Sequence, residues 1–185
     1  NYEPVGMVVQ NGVLRAGDEG LNAVGFRTDG SAILGRPELC MTLRCGEVTE
    51  TLGALNEGYY SGLVMYTADF FSGKVAEGCN VLCSIDGSIP ISGSVELTVL
   101  EKMEEAVKIP EEQVLLHCDE ETQFLAMLNA GDTLTLDISC AEGWESVDSA
   151  VGILFKLLTE GAVESGLETA AAPRTAIGIK ADGSL

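Results

Sequence analysis

One short run near the end of the chain carries the clearest chemistry. In Pro173-Arg174-Thr175 an arginine and a hydroxyl follow a proline, at the head of an apolar, strand-like stretch. Proline fixes its own φ and so steadies the entry to that stretch. Arginine is scarce in this chain, standing only at positions 15, 27, 36, 44 and 174. A guanidinium beside a hydroxyl suits capture of a phosphate or carboxylate oxygen through paired hydrogen bonds. The competing reading of Arg174 is a surface ion pair with one of the many acids, which would contribute little.

The other reactive residue types form no complete constellation. His117 is the only histidine and ends an apolar run, VLLHCD. Nothing in the sequence pairs it with a nucleophile, so it reads as structural rather than as a general base. Six cysteines stand at 40, 45, 79, 83, 118 and 140, with no Cys-x-x-Cys among them. That spacing argues for buried free thiols rather than a zinc centre. Cys79 and Cys83, if they share a strand, face the same side about 13 Å apart and cannot bridge each other. Acidic residues number 29, so no single carboxylate pair is informative. The cluster between Glu101 and Glu112 reads as a solvated face or loop. Gly-x-Ser-x-Gly, a phosphate-binding loop and His-Glu-x-x-His are all missing from the sequence.

The charge balance narrows the partners. Twenty-nine acids against ten basic residues give a formal charge of -19. A field of that sign repels nucleic-acid phosphate and disfavours anionic membranes. It leaves weak divalent-cation binding as the one cofactor hint. No run of 18 apolar residues occurs, so no helical membrane span is expected. At 185 residues, 46% of them apolar, the chain suits one domain that buries roughly 70% of its unfolded surface.

The elements that must position these residues are mostly short strands. Residues 5–9 and 13–15 flank an Asn11-Gly12 turn, and residues 22–27 and 31–34 flank Asp29-Gly30. The second pair is expected to be a type I′ hairpin. Residues 39–45 alternate apolar and polar. Residues 63–67, 80–85, 95–100, 113–118 and 133–138 are further strands, and residues 175–180 are the last. A helix is expected after Asp119 as N-cap, with Glu120 and Glu121 in its first turn, Phe124, Leu125 and Leu128 on one face, and Gly131 just past its end. Helical spacing at Val147, Ala150 and Val151 suggests a short helical turn over residues 146–150, then a strand over 155–158 and a turn at Glu160-Gly161. The expectation is an α+β fold: mostly antiparallel short strands with one or two helices.

Several segments in order resemble the phosphodiester glycosidase family. AAPRTAIGIKADGSL is similar to its Pro-Arg-Thr-Ala-x-Gly segment. GLVMYTADFFSG resembles its Leu-Val-Leu-Tyr-Thr stretch, with Asn56 in place of an Asn that precedes it. IPEEQVLLHCDEETQFLAMLNAGDTLTLDI and GWESVDSAVGILFKLLTEGAV resemble two more of its segments, and together the matches cover most of residues 22–185. The chain departs from the family in lacking Asn-Gly-Gly-Phe-Phe, because Phe70-Phe71 here follow Ala68-Asp69. It also has Glu57-Gly58-Tyr59-Tyr60 where an Arg often follows the Asn, and Ile153-Leu154 where a second Gly is common.

The resemblance implies a hydrolase cleaving a sugar-1-phosphodiester, in the cell envelope or outside the cell. It implies that Arg174 contacts the phosphodiester, that Thr175 donates a second hydrogen bond, and that Asn56 touches sugar or phosphate. General acid and base would sit mostly in flanking motifs, so residues 1–185 are expected to be a single incomplete domain, inactive alone. The alternative is a non-catalytic module on the same fold that binds an envelope glycan or a partner. Missing strands would leave sheet edges open, from which a homodimer is expected.

Overall fold

The computed structural model describes residues 4–58, 60–167 and 175–180. The elements run β1 (Val8–Gln10), β2 (Val13–Ala16), β3 (Asn22–Arg27), β4 (Ala32–Gly35), β5 (Cys40–Cys45), β6 (Val48–Leu52), β7 (Ala54–Leu55), β8 (Val64–Thr67), β9 (Cys79–Ile85), β10 (Gly93–Met103), β11 (Gln113–Cys118), α1 (Gln123–Met127), β12 (Thr133–Ser139), β13 (Val147–Ile153), β14 (Leu158–Thr159) and β15 (Ala162–Val163). The expected α+β class is therefore corrected: the fold is nearly all β, and its helix has 5 residues.

The strands form a five-stranded sheet, β2-β1-β13-β3-β4, an eight-stranded sheet, β6-β5-β12-β10-β9-β11-β8-β7, and the small pair β14-β15. Among the described residues every strand pairing is antiparallel except β7 with β8. The inner faces of the two large sheets share one core. Met7, Val9, Leu14, Ala23, Val147 and Ala150 come from the smaller sheet side, and Met41, Leu43, Leu97, Leu116 and Leu136 from the larger. A backbone bond also joins the sheets at one margin, where Gly17 N donates to Leu55 O at 3.1 Å, and Leu14 N donates at 2.8 Å to Ile89 O in the connection between β9 and β10. The margins β2 and β7 are thus tied to each other, and the assembly approaches a barrel.

Alternation explains most strands. In β10, Val95, Leu97 and Val99 are buried while Glu96, Thr98 and Leu100 face solvent. Three central strands of the larger sheet are apolar on both sides because both sides are covered. Met65, Val81, Cys83, Val114 and Leu116 enter the main core. Val64, Tyr66, Leu82 and Leu115 enter a second one with Phe70, Val75 and Ile109. The acidic segment after β10 thus also covers a core, through Ile109 and the Val75–Val107 bridge.

Four local expectations change. The type I′ geometry belongs to Asn11-Gly12, where φ is 52° and 72°. At Asp29-Gly30 only Gly30 is positive, at 85°. There Gly30 N donates to Arg27 O and Arg27 N to Ser31 O, a three-residue loop with glycine at its left-handed position. The helix begins three residues later than Asp119 would place it. Thr122 is its N-cap, Oγ1 accepting from Leu125 N at 3.2 Å, and no acid lies in its first turn. Gly131 is not its C′ residue but shapes the turn into β12, its N–H donating to Val99 O at 2.8 Å.

The fourth change is the largest. Residues 147–153 are not a helical turn followed by a strand; they are β13, the central strand of the smaller sheet. Pairing with β3 shifts register between Val147 and Ser149. A bulge adds a residue and turns the following side chains over. Val147 and Ala150, three apart, therefore both face the core, which imitates helical spacing. Gly152 is required here by close approach: a Cβ would overlap the Val5 carbonyl oxygen. Residues 155–157 lie outside strands, and the turn at Glu160-Gly161 joins β14 to β15 as expected. Residues 175–180 form no strand. Among the described residues, no helix is long and apolar enough to cross a membrane.

Candidate functional site

A densely wired polar residue is Asn56, one residue beyond β7 and 4% exposed. Its backbone is left-handed, φ 58°, a conformation asparagine tolerates better than most residues. Its Nδ2 donates to Arg15 O at 2.7 Å and to Thr67 Oγ1 at 2.8 Å. Its Oδ1 accepts from Thr67 N at 2.8 Å. Its own N–H donates to Met65 O at 2.9 Å. The amide is therefore saturated by β2 and β8, and Asn56 works as a clasp between strands rather than as an open contact for a ligand.

The clasp extends to the surface. Thr67 Oγ1 also accepts from Asp69 N at 3.2 Å, and Asp69 pairs with Arg15 at 2.7 Å. Both side chains of that pair are partly solvated, 39% and 47% exposed. The Arg15 Nε is buried without a hydrogen-bond partner. Sequence reasoning singled out neither residue, because a pairing across 54 positions leaves no local pattern.

Beside the clasp lies an open cleft of about 390 Å³ between the 17–20 turn and the ends of β5, β6 and β7. Asp18, Glu19, Glu57 and Tyr60 line it with Gly53 and Leu39. Its acids also hold the backbone in place. Asp18 accepts from Gly20 N and Leu39 N, and Glu19 Oε1 accepts from Gly6 N at 2.9 Å. Tyr60 is 40% exposed, and its ring lies so close over Gly53 that a Cβ there would overlap it. An aromatic face beside carboxylate acceptors can bind a polyol: the ring takes the apolar C–H side and the acids take hydroxyl protons. The run Gly-Asp-Glu-Gly at 17–20 is the one feature of the sequence that could have pointed here, as a tight turn carrying two acids.

A second, shallower depression of about 310 Å³ has Cys40, Thr42, Ser94, Asp137 and Ser139 along it. Ser94 Oγ donates to Asp137 Oδ1 at 2.5 Å, and Arg44 reaches Asp137 Oδ2 at 3.3 Å. The serine bond, then the arginine, holds the Asp137 carboxyl below its usual range.

His117 is buried, with its Nδ1 2.8 Å from Asn80 Oδ1 and its Nε2 3.6 Å from Asp119. Asn80 is itself held, donating from Nδ2 to Ala76 O and Glu105 O. Burial lowers the His117 pKa against the opposing pull of Asp119. A closed imidazole of this kind holds strands and loops together. All six thiols are unpaired, and burial pushes Cys83 up to about 12. Among the described residues, no group of three or more His, Cys, Asp or Glu could hold a metal ion.

Of the residues proposed from sequence, Arg174 lies outside the described residues. Thr175 is exposed, in a segment without regular structure. Asn56 is brought to Arg15 and Thr67.

No family model matches this chain, and no curated protein matches it. A solved structure described as a hypothetical protein from Synechocystis is similar to it, with a TM-score of 0.72 and 17% identity. The match covers 97% of this chain and 36% of that one. At that identity the likeness speaks to the fold alone, and the chain spans little more than a third of that structure's length.

Proposed function

We propose that this chain is part of a hydrolase that cleaves a sugar-1-phosphodiester in the cell envelope or outside the cell. Water would add across the bond between the anomeric carbon and the phosphate oxygen, leaving a free sugar and a phosphomonoester. The observation that supports this reading is the clasp at Asn56. Two segments resembling the phosphodiester glycosidase family, the Asn and the Val64–Thr67 strand, meet through mutual hydrogen bonds. In this reading Asn56 holds the strand rather than the substrate. Arg174 takes a non-bridging phosphate oxygen and offsets developing negative charge, and Thr175 donates a second hydrogen bond. The acid and base would come mostly from the family motifs that this chain lacks.

The test uses a longer protein containing this chain, assayed on an N-acetylglucosamine-1-phosphodiester. Arg174→Ala is expected to lower turnover by about 10²–10³-fold, as removal of one oxyanion donor does. Unchanged turnover would remove Arg174 from its role, and an inactive parent protein would sink the hydrolase reading.

A non-catalytic glycan-binding module is the second reading. The platform of Tyr60 over Gly53, beside Asp18 and Glu57, favours it. Titration of the 185-residue chain with N-acetylglucosamine oligosaccharides separates the two. Saturable binding that Tyr60→Ala abolishes, in a parent without hydrolysis, would establish the module.

A further inference from the structure

The five-stranded sheet carries apolar side chains on both faces. Its inner face belongs to the main core, through residues such as Ala23, Ile33 and Ala150. Strand alternation sends their neighbours outward. Register places Leu34 beside Val24, Val24 beside Val151 and Val151 beside Val8, one row across four strands. Phe26 with Ala32, and Ile153, lie in the adjoining rows of the same face, beside the polar but uncharged Ser149 and Asn22. None of these side chains is charged. Leu34 is 41% and Val151 47% exposed, and Val24 is buried yet belongs to neither core.

The apolar surface continues past the sheet. Leu154, Phe155, Leu157, Leu158 and Val163 follow β13 with exposures of 50–74%. The β14–β15 pair that carries two of them, Leu158 and Val163, has only two residue pairs, and an isolated two-stranded hairpin is marginal in water. Exposed apolar groups gathered in this way mark a surface that another element covers.

We propose that the outer face of the five-stranded sheet, with the apolar segment that follows β13 in the chain, docks an amphipathic α-helix whose apolar stripe is flanked by lysine or arginine. Three observations select that occupant. The apolar groups lie on a sheet face, which is covered by a packed layer, whereas an added strand uses an edge. The row spans three strand spacings, about 14 Å, which accommodates a helix about 10 Å across. The formal charge of -19, with Glu160 and Glu164 on the hairpin itself, attracts a basic flank and repels a second copy of this chain. The inference is independent of the hydrolase reading.

The experiment uses the 185-residue chain and three synthetic 18-residue peptides. One has a leucine and alanine stripe at helical spacing with lysine flanks, one has glutamate flanks, and one has the lysine composition scrambled. The lysine peptide is expected to bind saturably, to gain helicity by circular dichroism, and to slow amide exchange in β13 and β3. Val151→Asp and Leu34→Asp should each weaken it at least tenfold while the far-ultraviolet spectrum of the protein is kept. The glutamate and scrambled peptides should bind at least tenfold more weakly. Absence of binding, equal binding of all three peptides, or binding unaffected by both substitutions overturns the proposal. So does a dimer in sedimentation that Val151→Asp dissociates, which would make a second copy the occupant.

Discussion

Asn56 and Thr67 bond to each other twice: the asparagine amide donates to the threonine hydroxyl at 2.8 Å, and the threonine N–H donates back to the asparagine carbonyl at 2.8 Å. A third bond from the same amide, to Arg15 O, brings β2 into the clasp. Three segments distant in sequence therefore depend on one buried side chain. Asn56→Ala would leave the Arg15 carbonyl and the Thr67 N–H without their partner. Unsatisfied buried polar groups cost about 1–3 kcal/mol each, so a loss of about 3 kcal/mol is expected. Urea unfolding followed by circular dichroism measures it. A loss below about 0.5 kcal/mol would mean that water replaces the amide without penalty.

His117 makes stability depend on pH with a definite sign. Burial holds its folded pKa below the ordinary 6.5, so the unfolded chain binds more protons once pH falls through that value. The stabilisation is full above about pH 6.5 and is lost progressively as pH drops toward the folded pKa. The unfolding midpoint should therefore fall between pH 7.5 and 5.5, and His117→Asn should flatten that part of the profile. Identical profiles for the two proteins would show that the imidazole is not the titrating group.

Gly53 sets the wall of the cleft. Alanine there overlaps the Tyr60 ring, and the ring must swing away. Because Tyr60 is 40% exposed, the expected stability change is small, within about 1 kcal/mol. Any sugar affinity of the cleft should fall about tenfold, the loss of roughly one stacking contact. Binding titrations of Gly53→Ala and Tyr60→Ala should give matching losses, and a loss in only one of them would break the link.

The thiols should react in order of exposure. Cys40 is exposed, whereas Cys83 is buried and its pKa is pushed up to about 12. The thiolate is the reactive form, so a thiol reagent at pH 8 should label Cys40 at once and Cys83 only on unfolding. Mass spectrometry of the modified peptides reads the order. Early labelling of Cys83 would show that β9 opens readily.

The sequence by itself determined most strands of this protein, because its cues are local. The alternation of β10, the apolar run of β11 and the turns at Asn11-Gly12 and Asp29-Gly30 each express a preference of a few adjacent residues. The formal charge of -19 and the apolar run that ends at His117 are likewise read from the sequence alone. Only the tertiary structure decided the rest. A bulge beside β3 brought Val147 and Ala150 to one face and made the central strand β13 look helical. The acidic 119–121 segment lost the helix start to Thr122, whose hydroxyl reaches Leu125 N. The strands β6 and β7 escaped notice because their pairing partners, not their own residues, make them strands. The cleft was illegible for the same reason: Asp18 and Tyr60 meet only when the ends of β2 and β7 are tied, by Gly17 to Leu55 and Asn56 to Arg15. Side-chain pattern is a property of neighbours along the chain, whereas a site is a property of neighbours across it.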